Sequence, residues 1–180
     1  KRHQLYCKEN QVIKDNIGLI KAYILQGFSV LVIVNNVRTA QNVFKEINIA
    51  KSIQLLHSGF NKEDRTKIER QITDRDISRR PKLLIATQSV EVSLDIDYDV
   101  AFIENAPIDA LIQRFGRVNR SGKKKIEPIH INTKLRGNTV PIYLIQHSMG
   151  KTPFYDEMAL ESTWSELIKR DKTELSEDDL

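Results

Sequence analysis

Short hydrophobic stretches alternate with longer amphipathic ones along most of the chain. The most hydrophobic stretch, 28–34, is continuous and rich in β-branched residues, which is typical of a central parallel strand buried on both faces. Six further stretches have strand character and lie at 1–7, 53–56, 82–86, 100–103, 129–131 and 141–145. Helical spacing of apolar residues predicts helices over 10–26, from the turn at 35–40 to about 47, from 62 to about 77, and over 152–167. This alternation predicts an α/β fold, namely a doubly wound, mostly parallel sheet with helices on both faces.

Amide and guanidinium groups are concentrated in the segment 113–120, whose sequence is Gln-Arg-Phe-Gly-Arg-Val-Asn-Arg. Read as a short helix, this segment places Gln113, Arg117 and Arg120 on one face, because residues three and four apart lie on the same side. The planar guanidinium of arginine binds phosphate oxygens in pairs and stabilises the charge that develops during phosphoryl transfer. Gly116 within this helical pattern indicates a close approach to the backbone. A solvated basic helix explains the same segment without a ligand.

The sequence upstream of this segment favours the interpretation with a ligand. The predicted strand 82–86 leads into Thr87, Gln88 and a Leu-Asp-Ile-Asp stretch at 94–97, after which a second predicted strand follows. This order, completed by the arginine-rich segment, resembles motifs V and VI of superfamily-two helicases. More narrowly, it resembles the CRISPR-associated helicase of type I systems, a helicase-nuclease that Cascade recruits. The resemblance extends from about residue 27 to residue 180.

The resemblance implies a RecA-like motor domain that binds ATP together with another motor domain. Many helicases place glycine two residues before the aspartate of motif V, whereas this chain has Ser93 there. Without a nucleotide, Asp95 would only cap a loop and Arg114 would form a salt bridge. By resemblance, the nucleotide site comprises Arg117 and Arg120 on the γ-phosphate, Gln113 as its sensor, Asp95 on the ribose, and Gly116.

A second set of candidate residues follows the predicted strands, at the edge where their carboxyl ends meet. The strand-turn-helix at 28–47 resembles helicase motif IV, in which the turn meets a nucleic-acid phosphate, and Asn36 occupies this turn. Ser58 follows the next predicted strand, where helix N-terminal amides favour a phosphate. A helix cap formed by Asn36 or Arg38 is the alternative. The residues that the resemblance assigns to the nucleic-acid backbone are Asn36, Ser58, Thr87 and Gln88.

Several motifs of a complete motor are absent from the chain. It has no Gly-x-x-x-x-Gly-Lys-Ser/Thr loop for phosphates and Mg²⁺, no Asp-Glu-x-His/Asp stretch after a strand, and no adjacent His-Asp pair of a nuclease. In the family that the chain resembles, these motifs belong to the first motor domain and the nuclease domain. We therefore expect a second RecA-like domain over 1–150 and a truncated C-terminal helical extension over 151–180, with Thr173 or Ser176 capping a further helix. Such a fragment should hydrolyse no ATP alone, because the first motor domain holds the Mg²⁺.

Charge is distributed unevenly along the chain. The net charge of +4 combines a balance of −5 over 149–180 with +9 over 1–148. A basic body suits a polyanion, although a solvated surface has the same composition. The basic run 123–125 is interpreted as a solvated loop, with a DNA contact as the alternative. The charge is thus compatible with single-stranded DNA as a partner.

No hydrophobic stretch is long enough to span a membrane, and the first residues lack a hydrophobic signal region. We therefore expect a cytoplasmic protein without a membrane partner. The single cysteine, Cys7, is predicted to lie in a strand and fits a reducing compartment. His57 has no second ligand at metal-binding spacing, so no metal site is predicted.

The function predicted from the resemblance is ATP-dependent translocation along single-stranded DNA in CRISPR interference against foreign DNA. The expected partners are single-stranded DNA, the first motor and nuclease domains of a parent chain, and the CRISPR surveillance complex, Cascade. An RNA helicase of the same superfamily is an alternative, because phosphate contacts do not distinguish the two sugars. A non-catalytic nucleic-acid-binding adaptor domain is another.

Overall fold

A seven-stranded sheet runs through the part of the chain that the structure, a computed structural model, describes, namely residues 1–47, 52–91, 94–129, 138–149 and 154–176. In spatial order the strands are β3-β4-β2-β5-β6-β1-β7, and all neighbours pair in parallel except β7, which is antiparallel to β1. The prediction of a mostly parallel sheet is confirmed. The strands are β1 (His3–Lys8), β2 (Val30–Ile33), β3 (Ile53–Leu56), β4 (Leu83–Ala86), β5 (Val100–Glu104), β6 (Val140–Ile145) and β7 (Glu174–Leu175).

Five α-helices lie between strands within the described residues. None of them is long and apolar enough to cross a membrane. Short 3-10 turns occupy Ile13–Asn16, Ile77–Arg79, Gln88–Val90 and Ile168–Arg170. The helices are α1 (Ile17–Leu25) between β1 and β2, α2 (Val37–Glu46) between β2 and β3, α3 (Lys62–Ile72) between β3 and β4, α4 (Ile108–Phe115) between β5 and β6, and α5 (Glu157–Leu167) between β6 and β7.

The continuous apolar strands form the core of the sheet. Every residue of β2, β4, β5 and β6 is buried. Full burial of a Val, Ile or Leu side chain contributes about 1.5–3 kcal/mol, so these strands fix the centre of the fold. Cys7 lies in β1, as predicted, and its thiol is free. The core therefore follows directly from the hydrophobic pattern of the chain.

The strand order changes direction at β2. The chain leaves β2 for β3, comes back to β4, and then crosses to β5 on the opposite side of β2. In open parallel sheets, ligands bind outside the carboxyl ends of the strands at such a point. The carboxyl ends of β2, β3, β4, β5 and β6 share one edge, because these strands are parallel. This edge is therefore the place to look for a site.

Several helix boundaries differ from the prediction. α1 begins at Ile17 rather than at residue 10, because the chain first forms the 3-10 turn Ile13–Asn16. α3 ends at Ile72 rather than near residue 77, because the Thr73 hydroxyl donates to the Glu69 carbonyl at 2.7 Å and the chain then turns. α5 begins at Glu157 rather than at 152, and residues 152 and 153 lie outside the described ranges. The predicted end of α1 is confirmed, since Gly27 has a φ of 96°, which favours glycine.

The C-terminal residues pair with β1 instead of beginning a helix. The carbonyl of Thr173 accepts a hydrogen bond from the backbone N–H of Leu5 at 3.0 Å, and β7 follows immediately. The helix start predicted at Thr173 is therefore wrong, because pairing at the sheet edge satisfies this backbone. A helix after Ser176 would lie in 177–180, outside the described residues, as do residues 130–131 of a predicted strand.

Candidate functional site

A groove of about 1400 Å³ opens at the carboxyl edge of the sheet. Its walls come from the residues after β2, β3, β4 and β6, from the start of α2, and from the residues before α5. The structure brings together the four residues predicted to hold a nucleic-acid backbone, because they follow neighbouring parallel strands. All four of these residues line the groove, namely Asn36, Ser58, Thr87 and Gln88.

Asn36 is the N-cap of α2, as the alternative interpretation predicts. Its Oδ1 accepts a hydrogen bond from the backbone N–H of Thr39 at 2.7 Å, and its Nδ2 donates to the Met149 carbonyl at 2.7 Å. A cap of this type is worth about 1 kcal/mol. The amide has a second N–H, which remains available to a ligand. Asn36 thus holds the wall of the groove and keeps one donor for binding.

The other three predicted contacts differ in exposure. Ser58 is exposed in the turn after β3, where the Nδ1 of buried His57 accepts a backbone N–H two residues further on at 3.0 Å. Gln88 is half-buried, and its Nε2 donates to the Asn35 carbonyl at 3.2 Å. Thr87 is only 2% exposed, so little of it reaches the groove. Ser58 is therefore the most accessible of these contacts.

A buried arginine, Arg114, connects the segments that form the groove. Arg114 is 0% exposed, and its guanidinium binds the Glu91 carboxylate at 2.9 Å, as the salt-bridge interpretation predicts. It also donates to Asn35 Oδ1 at 3.1 Å, to the Glu104 carbonyl at 3.1 Å and to the Tyr155 hydroxyl at 2.9 Å. These bonds join the ends of β2 and β5 to the segment after β4 and to the residues before α5.

Glu104, at the end of β5, is a buried acid that the sequence reasoning missed. Its carboxylate accepts the backbone N–H of Asn35 at 2.7 Å and that of Met149 at 3.4 Å. Burial raises the pKa of this carboxyl above its usual value. A glutamate that ends a continuous apolar strand is the sequence signal that would have identified it. Its role is to fix the loops that form the groove.

The segment 113–120 is not a continuous helix, so the prediction of one shared helical face is wrong. α4 ends at Phe115, Gly116 is its C-cap, and Asn119 has a φ of 45°. The side chain of Asn119 is buried and donates to backbone carbonyls, including that of Arg2 at 2.9 Å, which fixes the turn. A Cβ at Gly116 would meet carbonyl oxygens of α4 at 3.4 and 3.5 Å. No described part of the chain therefore makes the predicted close approach.

Arg117 is turned toward the segment that follows β4. Its Nη1 donates to the Leu94 carbonyl at 2.7 Å and its Nη2 to the Glu91 carbonyl at 2.8 Å. Burial lowers the pKa of its guanidinium, although arginine stays charged at neutral pH. Its Nε is buried and has no hydrogen-bond partner among the described residues. Arg117 therefore fixes both ends of the segment 91–94, whose residues 92 and 93, including Ser93, lie outside the described ranges.

Arg120 and Asp95 form an ion pair on the surface. Their side chains remain 50% and 89% exposed. The backbone N–H of Arg120 donates to Asp97 Oδ1 at 3.0 Å, so Asp97 rather than Asp95 caps this turn. Exposed ion pairs contribute only about 0–1 kcal/mol, which makes the pair easy to exchange for another ligand. Gln113 is exposed near the end of α4. These three side chains are accessible to a ligand, whereas Arg117 is already bound.

Glu91 connects the two sets of candidate residues. Its side chain lines the groove and binds Arg114, while its carbonyl accepts a hydrogen bond from Arg117. Arg120 follows Arg117 by three residues. A displacement of Arg117 would therefore reach the groove through its contact with Glu91.

A family model described as CRISPR-associated nuclease/helicase Cas3, C-terminal, matches residues 26–123 of the chain. Among curated proteins, a putative CRISPR-associated nuclease/helicase Cas3 of Methanocaldococcus jannaschii is 36% identical over 137 residues, which covers 68% of this chain and 19% of that relative. The chain thus spans about a fifth of the length of the first curated relatives that it matches.

Solved structures show the same fold. The crystal structure of T. fusca Cas3 superimposes with a TM-score of 0.73 at 23% identity, covering 99% of this chain and 23% of that one. A chain of a CRISPR RNA-guided surveillance complex, pre-nicking, gives a TM-score of 0.67 at 24% identity and covers 99% of this chain and 24% of that one. The predicted RecA-like fold of superfamily-two helicases is confirmed.

Proposed function

Since the chain belongs to the family of CRISPR-associated nuclease/helicase Cas3, as its C-terminal helicase domain, we propose that it is the second motor of a single-stranded DNA translocase. ATP hydrolysis would drive this movement in CRISPR interference against foreign DNA. The complete activity would belong to a longer protein, because the chain corresponds to about a fifth of its curated relatives.

The observation that carries the proposal is that Glu91, at one end of the segment 91–94, contacts both sets of candidate residues. A motor must convert a change at its nucleotide into a change at its nucleic acid. Arg117 holds the carbonyls at both ends of this segment, and the Glu91 side chain reaches the groove and the buried Arg114. This arrangement supports a coupling of ATP to DNA that a binding adaptor would not need.

The nucleotide residues fit a triphosphate that is shared with another motor domain. Arg120 is exposed and held only by a surface ion pair, so its guanidinium can turn from Asp95 to the γ-phosphate. Arg117 would stabilise the same charge, and its buried Nε has no hydrogen-bond partner in the part of the chain that the structure describes. Gln113 would sense the γ-phosphate, and Asp95 would contact the ribose once Arg120 releases it. Gly116 would leave the backbone beside them open.

We place Mg²⁺ in the first motor domain. Within the ranges that the structure describes, no group of three or more His, Cys, Asp or Glu side chains could hold a metal ion. Bound ATP would supply the phosphoryl group that is transferred to water. The role of this chain is then to stabilise charge through Arg117 and Arg120 when the two domains close.

The groove would hold the backbone of single-stranded DNA. The Ser58 hydroxyl and the second N–H of Asn36 can donate to phosphate oxygens, and Thr87 and Gln88 lie beside them. The N-terminus of α2 adds backbone amides and the positive end of a helix dipole. These contacts do not read bases, which suits a motor that must pass any sequence.

The remaining partners and boundaries follow from this proposal. The first motor domain and a nuclease domain would belong to the same parent chain, and the CRISPR surveillance complex, Cascade, would recruit it. The motor domain would extend over 1–150 and a helical extension over 151–180. The protein would work in the cytoplasm.

Stimulation of ATP hydrolysis by DNA in the longer parent protein tests the proposal. We expect single-stranded DNA to raise hydrolysis, and Arg38→Glu in the groove to raise the DNA concentration for half-maximal stimulation by on the order of tenfold. Arg79→Glu is the matched control, because Arg79 is also exposed but lies outside the groove. Stimulation by single-stranded RNA alone would favour an RNA helicase, and the absence of any hydrolysis would favour an adaptor.

A further inference from the structure

Two large apolar side chains near the start of α5 are unusually exposed. Phe154 and Met158 are each 76% exposed. Only Phe154 lines the groove at the carboxyl edge of the sheet; Met158 does not. A phenyl ring exposed at the wall of a groove that several amide and hydroxyl side chains line needs an explanation that an isolated surface residue does not.

The neighbouring aromatic residue has a different role. The Tyr155 hydroxyl accepts a hydrogen bond from Arg114 Nη2 at 2.9 Å, and the Arg114 guanidinium lies 5.9 Å from the centre of its ring. Tyr155 is therefore fixed by its contacts with the buried Arg114. The ring of Phe154, by contrast, remains open to a ligand.

The charge of the groove favours a polyanion as that ligand. Glu91 is the one carboxylate among the described residues that line it, and Arg114 neutralises this charge. Arg38 is exposed at the start of α2 and forms no ion pair with a described residue. A nucleic-acid strand would bring phosphates to Arg38 and to the donors of the groove, and its bases would need an apolar surface.

We propose that Phe154 stacks on a base of the single strand whose backbone lies in the groove. This inference rests on the proposed function, and it adds a base contact to a set of residues that otherwise meets only phosphates. Stacking on an aromatic ring tolerates every base, because each base has a π-face. Phe154 would thus hold the DNA strand between translocation steps without selecting a base sequence.

Binding of a labelled oligothymidylate to this chain, measured by fluorescence anisotropy, tests the inference. Phe154→Ala should weaken binding by about 5- to 150-fold, the range expected for loss of one stacked base. Phe154→Trp should retain binding, which also shows that the site is intact. Met158→Ala is the matched control, because it removes an equally exposed apolar side chain outside the groove and should leave affinity unchanged.

Salt dependence and an abasic probe separate stacking from other effects. Phe154→Ala should leave the slope of log K against log salt unchanged, whereas Arg38→Ala should make it shallower, since of these two side chains only the charged Arg38 would meet a phosphate. An oligonucleotide with abasic sites should bind the wild type and Phe154→Ala equally. A Phe154→Ala variant that loses as much affinity for the abasic probe would overturn stacking.

The outcomes also distinguish this inference from the proposed function. If Arg38→Ala weakens binding and Phe154→Ala does not, the stacking contact is wrong and the DNA groove stands. If Phe154→Ala weakens only association with another protein domain, the ring is a protein contact and the inference is also wrong. If the wild type binds no single strand at any salt concentration, the proposed function itself fails.

Discussion

The three arginines of segment 113–120 have different environments, although the sequence presents them as one basic motif. Arg114 is completely buried with four partners, Arg117 holds two carbonyls, and Arg120 is half-exposed in a surface ion pair. A buried guanidinium is tolerated only when its donors are satisfied, as they are at Arg114. Residue type and spacing therefore identify the motif, while the end of α4 decides which arginine faces the core.

Replacement of Arg120 should separate ATP hydrolysis from ATP binding. In the longer parent protein, Arg120→Ala should reduce hydrolysis by on the order of 10³-fold, the lower end of what an arginine contributes to phosphoryl transfer in trans. Nucleotide affinity should change much less, because the side chain meets the γ-phosphate only when the motor domains close. Steady-state hydrolysis and equilibrium nucleotide binding measure the two effects.

The control for this prediction is Arg79→Ala, which removes an exposed arginine paired with Asp76. It should leave both quantities near wild type. Hydrolysis near wild type in Arg120→Ala would show that this segment does not form the second half of an ATPase site.

Replacement of Arg114 should instead cost stability. Arg114→Ala removes the partner of the Glu91 carboxylate and four hydrogen bonds, two of them fully buried, so the free energy of unfolding should fall by about 3–5 kcal/mol. Urea denaturation of this chain measures the loss. Arg170→Ala, at a surface ion pair of 3.8 Å, should change it by less than about 1 kcal/mol. Equal losses in the two variants would mean that the buried network does not stabilise the fold.

At the scale of elements, strands were easier to predict than helix ends. β2, β4, β5 and β6 are continuous apolar segments, and burial on both faces leaves such segments no alternative in a parallel sheet. The four groove residues could be placed on one edge for the same reason, since they follow parallel strands. Local pattern and strand direction were sufficient for that part of the site.

The elements that were missed depend on distant contacts. The turn after α4 needs Asn119 at a φ of 45°, which is held by the carbonyls of Arg2 and Asn138 at 2.9 and 3.1 Å. β7 has only two residues, so no periodicity could reveal it, and its pairing with β1 joins residues about 170 apart in sequence. The sequence pattern predicts a phosphate contact for Arg117, and nothing in that pattern indicates that the backbone carbonyls of Glu91 and Leu94 accept hydrogen bonds from it.

The contact between β1 and the segment after α4 should depend on pH. His3 Nε2 donates to the Val118 carbonyl at 2.7 Å, and burial lowers the pKa of His3 from 6.5 to about 4. Between these two pKa values the His3 imidazole is protonated in the unfolded chain but neutral in the folded chain. Stability should therefore be fully present above about pH 6.5 and fall as the pH drops toward 4, by at most roughly 3 kcal/mol from this residue.

Urea denaturation at pH 7 and near pH 4.5 measures this effect. His3→Gln keeps a donor for Val118 but cannot be protonated, so its stability should fall less between the two pH values than that of the wild type. His147→Gln, at an exposed position, should behave like the wild type. An unchanged pH dependence in His3→Gln would rule out His3 as its source.

At the scale of the whole molecule, the charge and the fold fit the proposal that the chain is one half of a motor. The basic body, the exposed Arg120 and most residues that line the groove lie in 1–148, whereas the acidic balance of −5 lies in 149–180. The phosphate loop and the metal-binding stretch of a complete motor have no counterpart in this sequence. The chain would therefore contribute charge stabilisation and strand binding but no site for Mg²⁺.

This division predicts the behaviour of the chain alone. It should show no measurable DNA-stimulated ATP hydrolysis, because the ligands of Mg²⁺ and the phosphate loop would belong to the first motor domain. It should bind single-stranded DNA weakly, with an affinity that falls steeply as salt rises, since each phosphate contact releases a counterion. Hydrolysis assays and binding titrations over a range of salt concentrations measure both. Turnover by this chain, or tight binding that ignores salt, would contradict its assignment as one half of the motor.

The pairing of β7 with β1 also bears on self-association. β1 would otherwise end the sheet with a row of free backbone groups, which is a template for strands of other molecules. β7 occupies the positions opposite His3 and Gln4, and Asp171 Oδ1 accepts the backbone N–H of Cys7 at 2.8 Å. Residues 171–175 thus cover this edge, which is six residues long, and leave fewer free backbone groups there with which a neighbouring molecule could pair.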